Sequence, residues 1–192
     1  MASVLRPSVF GLLRLTCGVA AGATAFAVGP GAASASAPYD FDGDGHQELV
    51  AGLPDVADGG AELAGAVLVV PGSGIGLKFG RRQWITQSSA GVPDTSEEFD
   101  RFGAAVASGD FNADGVADLA VGAPYERLGA GTDLQGAVTV LYGGDDGLTG
   151  VGATQFGGTI ATWSAGGQTY SQGSAFGSTL AAATSTPTAM RT

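Results

Sequence analysis

Two stretches of the chain, "DFDGDGHQELVAGLP" (residues 40–54) and "DFNADGVADLAVGAP" (residues 110–124), share one pattern of acidic, glycine and apolar residues. In each stretch, acidic or amide side chains occupy alternate positions up to a glycine, and a short apolar run follows. Carboxylates this close together repel one another, so folding alone gives no reason to gather them. The pattern therefore predicts a loop that binds a cation and leads directly into a β-strand.

The predicted metal ligands lie at positions one, three, five, seven and nine of each loop. A glycine at position six can adopt a positive φ at little cost, position seven would offer only its backbone oxygen, and position nine is a carboxylate that can bind through both oxygens. Ligands made wholly of oxygen suit a hard cation, and a flexible loop favours Ca²⁺ over Mg²⁺. The two predicted calcium sites are Asp40, Asp42, Asp44, the backbone oxygen of His46 and Glu48, and then Asp110, Asn112, Asp114, the backbone oxygen of Val116 and Asp118.

An EF-hand begins with the same spacing of acids, but it places a bidentate Glu at position twelve between two helices. Position twelve of these loops is Ala51 or Val121, inside the apolar run, which excludes an EF-hand. A turn stabilised by Asp and Asn side chains without any metal is the remaining alternative.

Internal repetition predicts the fold. "GAVLVVPGSGIGL" (residues 65–77) returns as "GAVTVLYGGDDGL" (residues 136–148), 71 positions later, and "RFGAAVASGDF" (residues 101–111) is echoed by "AFGSTLAA" (residues 175–182). Each unit runs through a Phe-Gly strand, the acid loop, an apolar strand, a Gly-Ala-Val strand and a strand containing Trp84 or Trp163. Four short strands per unit without helical periodicity predict an all-β fold of propeller blades, with the tryptophans packed between blades.

The first 37 residues are typical of an export signal. Arg6 and Arg14 form the positively charged start, and an apolar stretch follows at residues 15–28. The small residues "ASASA" (33–37) predict cleavage near Ala35 or Ala37. An uncleaved membrane anchor is the alternative, although the apolar run is short for a span. We therefore expect a secreted, extracellular chain with no membrane span after cleavage and, since Cys17 lies in the signal, no disulfide.

Charge limits the partners of the mature chain. Without the two signal arginines, 6 basic residues face 18 acidic ones, a net charge of −12. Nucleic-acid binding needs a basic face, so no nucleic-acid partner is expected. Because the acids cluster between apolar strands, cation binding explains them better than a disordered acidic chain does.

Phe102-Gly103, the loop "DFNADGVAD" and Gly122-Ala123-Pro124 together resemble the FG-GAP repeat, the blade unit of the integrin alpha-chain propeller. The first copy has "GLP" (residues 52–54) instead, and the signal peptide occupies the place of its Phe-Gly strand. The resemblance implies a calcium-loaded, seven-bladed β-propeller, secreted or displayed at the cell surface, in which loop calcium is structural. This chain would hold a partial β-propeller of about two blades. The expected organisation is a first blade at 38–100, a second at 101–174, and the first strand of a third within 175–192.

The last ten residues, "ATSTPTAMRT" (183–192), carry no acid where the repeat requires an acid loop. Read one base earlier, with G in the wobble positions, the same codons spell GDVDADGDAD, in register with the second loop. We therefore hypothesise a frameshift from about residue 183 that truncates the product. The alternative is a natural disordered tail.

These features favour a non-catalytic, calcium-binding propeller for adhesion or ligand binding, with an unknown extracellular protein or glycan as partner. The mature chain has one His and no nucleophile elbow, so no catalytic set is expected. One alternative is the propeller portion of a secreted hydrolase, since such propellers resemble part of glycosylphosphatidylinositol-specific phospholipase D; another is a non-functional truncated product. Too few blades to close a ring would leave open edges, so self-association and a marginal, calcium-dependent stability are expected.

Overall fold

The computed structural model describes residues 36–129, 134–158, 161–165 and 168–182. The predicted export signal lies almost wholly outside these residues, and so does the tail from residue 183 to which the frameshift hypothesis applies. None of the helices among the described residues has the length and apolar character needed to cross a membrane.

The described chain is almost entirely β-structure, as predicted. One three-stranded antiparallel sheet has the order β1 (Leu49–Leu53), β2 (Ala66–Val70) and β3 (Gln83–Ile85). One four-stranded antiparallel sheet has the order β4 (Ala105–Gly109), β5 (Asp118–Ala123), β6 (Ala137–Tyr142) and β7 (Thr149–Gly157). The strands β8 (Ala161–Ala165) and β9 (Gln168–Gln172) form a hairpin, and a single 3-10 turn spans Phe79–Arg81. These sheets are partial propeller blades.

The two large sheets repeat one another in register. Val67 of β2 lies opposite Ile85, and Val138 of β6 lies opposite Phe156, so both members of the pair are displaced by the same 71 positions. Among the residues that the structure describes, the first sheet has no strand that corresponds to β4. The strands of the two sheets therefore repeat with the same 71-residue period as the two Gly-Ala-Val segments of the sequence.

The outermost strand of the second blade differs from the prediction. β7 (Thr149–Gly157) takes that place, whereas Trp163 belongs to β8, which pairs with β9. The partner of Trp84 in the repeat is thus Gln155, and matching the two tryptophans was wrong. Trp84 is also 51% exposed, so it does not pack between blades, and the side chain of Trp163 lies outside the described ones.

One hydrophobic core joins the two blades. Val67 and Val69 of β2 pack with Leu119 and Val121 of β5 and with the fully buried Phe102. Ala120, which lies between Leu119 and Val121 in the chain, faces a second core on the opposite side of the sheet. Because side chains alternate along a strand, β5 is buried on both faces, as expected of a strand between neighbouring blades.

Glycines allow the backbones of successive blades to touch. A Cβ on Gly52 of β1 would lie 2.1 Å from the carbonyl oxygen of Gly103, and a Cβ on Gly122 of β5 would lie 2.0 Å from that of Gly177. Phe102 also pairs with Gly65 through a single parallel bridge, and Phe176 pairs with Gly136 in the same way. No strand follows Phe176 within residues 175–182. The Phe-Gly pair is therefore a contact point between one blade and the next.

Candidate metal centres

The first acid loop is shaped by its own carboxylates. The amide of Gly45 donates to Asp40 Oδ2 at 3.1 Å, the amide of Asp44 donates to Asp42 Oδ1 at 3.1 Å, and the amide of His46 donates to Asp44 Oδ1 at 2.9 Å. Each bond spans two to five residues, so it curls the chain and turns side chains from alternate positions inward. Gly45 has a φ of 86°, the positive value that position six was expected to need.

Three of the predicted ligands converge in this loop. Asp40, Asp42 and Glu48 each offer an oxygen within 4.8 Å of the other two. Asp40 Oδ1 is buried and accepts no hydrogen bond, although buried carboxylate oxygens normally have a partner. Asp44 is outside this group and lies 3.8 Å from the ammonium of Lys78. The loop thus gathers three carboxylates, one of which has a buried oxygen with no donor within the protein.

Glu48, at position nine, closes the loop. Its Oε2 accepts the amide of Phe41 at 2.6 Å, and its Oε1 accepts the amide of Gly72 at 3.2 Å. Burial raises the pKa of Glu48, the two amides lower it, and the nearby Asp42 and Asp40 raise it further. Both oxygens therefore have backbone partners, and their remaining lone pairs are those that a metal would use.

The second loop repeats this shape. Asp110 accepts the amides of Asp114 at 3.1 Å and Gly115 at 3.0 Å, and Asp114 accepts the amide of Val116 at 2.9 Å. The Oδ1 of Asn112 accepts the amide of Asp114 at 3.0 Å, and the Nδ2 of Asn112 donates to the carboxylate of Asp114 at 2.8 Å. Its acids do not form a converging group of three in the part of the chain described. The second site is therefore less assembled than the first.

Asp118 takes the place of Glu48 in the second loop. Its Oδ2 accepts the amides of Phe111 at 2.7 Å and Asn112 at 3.3 Å, and its Oδ1 accepts the amide of Gly143 at 3.0 Å. Burial raises the pKa of Asp118 to about 6, against the lowering effect of these amides, and Asp114 raises it further. Gly72 and Gly143, which donate to the two position-nine carboxylates, are again 71 positions apart.

The first loop also rests on the second blade. The carbonyl oxygen of Asp40 accepts the amide of Ala117 at 3.1 Å, and that of Phe41 accepts the amide of Gly144 at 2.9 Å. The amide of Tyr39 donates to the hydroxyl of Ser108 at 2.8 Å. Any ligand that fixes the first loop would therefore also fix the contact between blades.

The residues of the first loop fit a calcium ion better than a metal-free turn. The donor set is made of oxygens, which hard cations prefer, and it includes the unpartnered Asp40 Oδ1. In a metal-free turn the clustered charges would be stabilised only by amides. Calcium binding by either loop stays a prediction, including ligation by Asp44 and by the backbone oxygens of His46 and Val116.

A second group of acids was missed by the sequence reasoning. Glu97, Asp100 and Glu126 each place an oxygen within 4.8 Å of the others, and the last two are fully buried. They come from two separate connections and follow none of the repeat spacings, so no sequence signal marked them.

Comparison with known proteins locates the repeat. The FG-GAP repeat family matches residues 102–141. Phosphatidylinositol-glycan-specific phospholipase D is 38% identical in Rattus norvegicus over 103 residues, covering 54% of this chain and 12% of that protein. The Bos taurus protein of the same name is 37% identical over 106 residues, with the same two shares covered. Integrin alpha pat-2 of Caenorhabditis elegans is 51% identical over 53 residues, which are 27% of this chain and 4% of that one.

The chain thus spans only a small part of the relatives that it matches. The matched family segment contains Phe102-Gly103, the whole second acid loop, β5 and the first five residues of β6. Residues 102–141 are therefore an FG-GAP repeat, and this chain is homologous over part of its length to integrin alpha and phosphatidylinositol-glycan-specific phospholipase D.

Proposed function

We propose that this chain is a secreted, non-catalytic propeller unit that calcium stabilises and that binds an extracellular protein or glycan. The observation that carries the calcium part is the first acid loop, where Asp40, Asp42 and Glu48 converge and Asp40 Oδ1 is buried without a hydrogen-bond partner. A bound calcium ion would supply positive charge and no reactive group. The proposed role is structural.

The position of the loop supports this role. Its backbone oxygens accept hydrogen bonds from Ala117 and Gly144 of the second blade, so the loop conformation affects the contact between blades. Without a cation, the repulsion between Asp40, Asp42 and Glu48 would loosen that conformation. We therefore expect calcium to raise the stability of the whole two-blade unit and not that of one turn alone.

Asp42→Asn tests the calcium role. The amide oxygen of Asn can still accept the hydrogen bond from Asp44, whereas one ligand charge is lost. The measurement is calcium titration by calorimetry of chelator-treated protein, together with thermal melts in calcium and in EDTA. We expect the variant to bind calcium at least tenfold more weakly, and to have a smaller difference between the two melting temperatures than the unchanged protein.

Asp145→Asn is the matched control, because Asp145 is an exposed acid in the turn between β6 and β7, outside both loops. It should behave like the unchanged protein. Identical melts in calcium and EDTA for the unchanged protein would refute the proposal.

The homology to integrin alpha chains supports the binding role, and the signal-like residues 1–37 support export. A producing cell should release protein that begins directly after Ala35 or Ala37, which N-terminal sequencing of the medium would detect. Arrays of extracellular proteins and glycans, probed in calcium and in EDTA, would then search for the partner.

The homology to phosphatidylinositol-glycan-specific phospholipase D favours one alternative, a repeat region that belongs to a hydrolase. This chain covers 12% of that enzyme, and its described residues gather no His with the clustered acids. Hydrolysis of a phosphatidylinositol-glycan substrate by the purified chain would favour this alternative over the non-catalytic role.

A further inference from the structure

A buried acidic cluster lies where the connection after β3 meets the connection after β5. We define the inter-blade cluster as Gln87, Glu97, Asp100 and Glu126. Gln87 follows β3 of the first blade, Glu126 follows β5 of the second, and the other two lie in the segment between β3 and β4. The cluster therefore joins the two blades, and it contains none of the acid-loop residues.

The oxygens of this cluster exceed the donors that the protein provides. Asp100 Oδ2 accepts the amide of Glu97 at 2.8 Å, and Glu126 Oε1 accepts the amide of Arg127 at 2.9 Å. Asp100 Oδ1 is buried and has no partner. Arg127 is near enough to lower the pKa of Asp100, but it forms no ion pair in the part of the chain that the structure describes.

Gln87 gives an independent indication of a ligand. It is 1% exposed, and its Nε2 donates to Glu126 Oε2, which holds the carboxamide at the cluster. The oxygen of the same carboxamide, Oε1, is buried without any donor. An amide oxygen can only accept a hydrogen bond, so the protein leaves this buried atom, like Asp100 Oδ1, without the positive partner that a cation would supply.

The electrostatics agree with this geometry. Burial raises the pKa of Glu126 to about 7, and the nearby Asp100 raises it further. Burial also raises the pKa of Asp100 to about 6, against the amide of Glu97, while the charges of Glu97 and Asp94 add to the increase. Two fully buried carboxylates with oxygens within 4.8 Å of each other must be neutralised, either by a proton or by a cation.

We propose that the inter-blade cluster is a third cation site, which binds a divalent cation of the calcium class through Glu97, Asp100, Glu126 and the amide oxygen of Gln87. Three carboxylates and one amide form an all-oxygen donor set that suits a hard cation. Glu97 is exposed and gives the ion a route from solvent. The bound ion links the connection after β3 to the connection after β5, and so holds the blades together.

The test uses Glu126→Gln and Asp100→Asn in the full chain. Each replaces a buried carboxylate by an amide of nearly the same shape. Glu98→Gln is the matched control, since Glu98 is an exposed acid in the same segment and outside the cluster. Calorimetric titration with CaCl₂ after chelation should show one ion fewer per chain for each cluster variant, and no change for the control.

Melting temperatures give a second readout that a misfolded variant would not reproduce. Glu126→Gln should melt at a lower temperature than the unchanged protein in calcium. In EDTA it should melt at the same or a higher temperature, because the variant removes repulsion between buried charges. An equal decrease in both conditions, or an unchanged number of bound ions, would overturn the proposal. Stabilisation in both conditions would show that the pair shares a proton instead.

The cluster and the acid loops fail separately in this design. Asp42→Asn should weaken calcium binding at the first acid loop and leave the inter-blade cluster intact. Glu126→Gln should remove the ion of the inter-blade cluster and leave the first acid loop intact. If only Asp42→Asn loses an ion, the cluster proposal is refuted and the loop proposal stands. If only Glu126→Gln loses one, the loop proposal is refuted instead.

Discussion

The close approach of the first two blades at Gly52 and Gly103 predicts that Gly52 tolerates no side chain. In Gly52→Ala the new Cβ would lie 2.1 Å from the carbonyl oxygen of Gly103, whereas Cβ atoms in real structures stay at least 3.0 Å from such an atom. The two backbones would have to separate by about 0.9 Å, which the hydrogen bond from Phe102 to Ala64, 2.8 Å long, resists. Overpacking of this kind costs about 2 kcal/mol.

Urea denaturation of the purified protein in calcium measures this cost. We expect the free energy of unfolding to fall by about 2 kcal/mol, and the melting temperature to fall by roughly 5 °C. Hydrogen exchange at the Phe102 amide should become faster, because this amide donates a hydrogen bond to the carbonyl oxygen of Ala64 across the contact between the blades. Unchanged exchange at this amide would show that the blades do not separate there.

Gly80→Ala is the control. Gly80 is exposed, and a Cβ there would meet no atom within 4 Å. Alanine restricts the unfolded chain more than glycine does, so we expect Gly80→Ala to be neutral or stabilising by about 0.5 kcal/mol. Gly52→Ala as stable as the unchanged protein, or Gly80→Ala equally destabilised, would refute the reasoning.

Three further changes test the packing, one hydrogen bond and one charge. Phe102→Ala should cost about 3–5 kcal/mol in urea denaturation because Phe102 is fully buried, whereas Phe79→Ala, at a residue 58% exposed, should cost less than 1 kcal/mol. Ser108→Ala removes the hydroxyl that accepts an amide of the first loop, so the same assay should show a loss of about 1 kcal/mol. Hydrogen bonds from hydroxyl side chains, of which that from Ser96 has the largest effect, lower the pKa of Asp58. The ionised carboxylate therefore stabilises the fold above its unfolded pKa of 3.8, and this stabilisation is lost as the pH falls further. Ser96→Ala should reduce the difference in unfolding free energy between pH 7 and pH 3.

The strand pairing of the first blade could be predicted because its sequence repeats. Val67 and Val138 occupy the same place in two copies, and the copies share turn glycines and alternating apolar residues. The outer strand of the second blade could not be predicted in the same way. It is the nine-residue β7, which follows β6 after a six-residue turn (143–148), and aligning Trp163 with Trp84 moved that strand too far along the chain.

The acid loops were visible in the sequence because their hydrogen bonds are local. The amides that shape them lie two to seven residues from the carboxylates, so spacing alone predicts the curled chain. How closely the carboxylates of a loop converge depends on atomic positions and could not be predicted. Of the two acid loops, only the first brings three carboxylates together in the described structure. In the second loop Asn112 takes the place of the acid Asp42, and its side-chain amide donates a hydrogen bond to the carboxylate of Asp114.

The inter-blade cluster shows why a repeat pattern reveals only part of a repeat protein. Gln87 and Glu126 are 39 residues apart and meet only because the blades pack side by side. Asp118 begins β5 and Glu126 follows its end, so the second acid loop and the cluster lie at opposite ends of one strand. A spacing rule within one blade can describe the end of β5 that carries the acid loop, since all predicted ligands of that loop belong to one copy of the repeat. The other end is built from two copies, and its chemistry exists only once the blades are in contact.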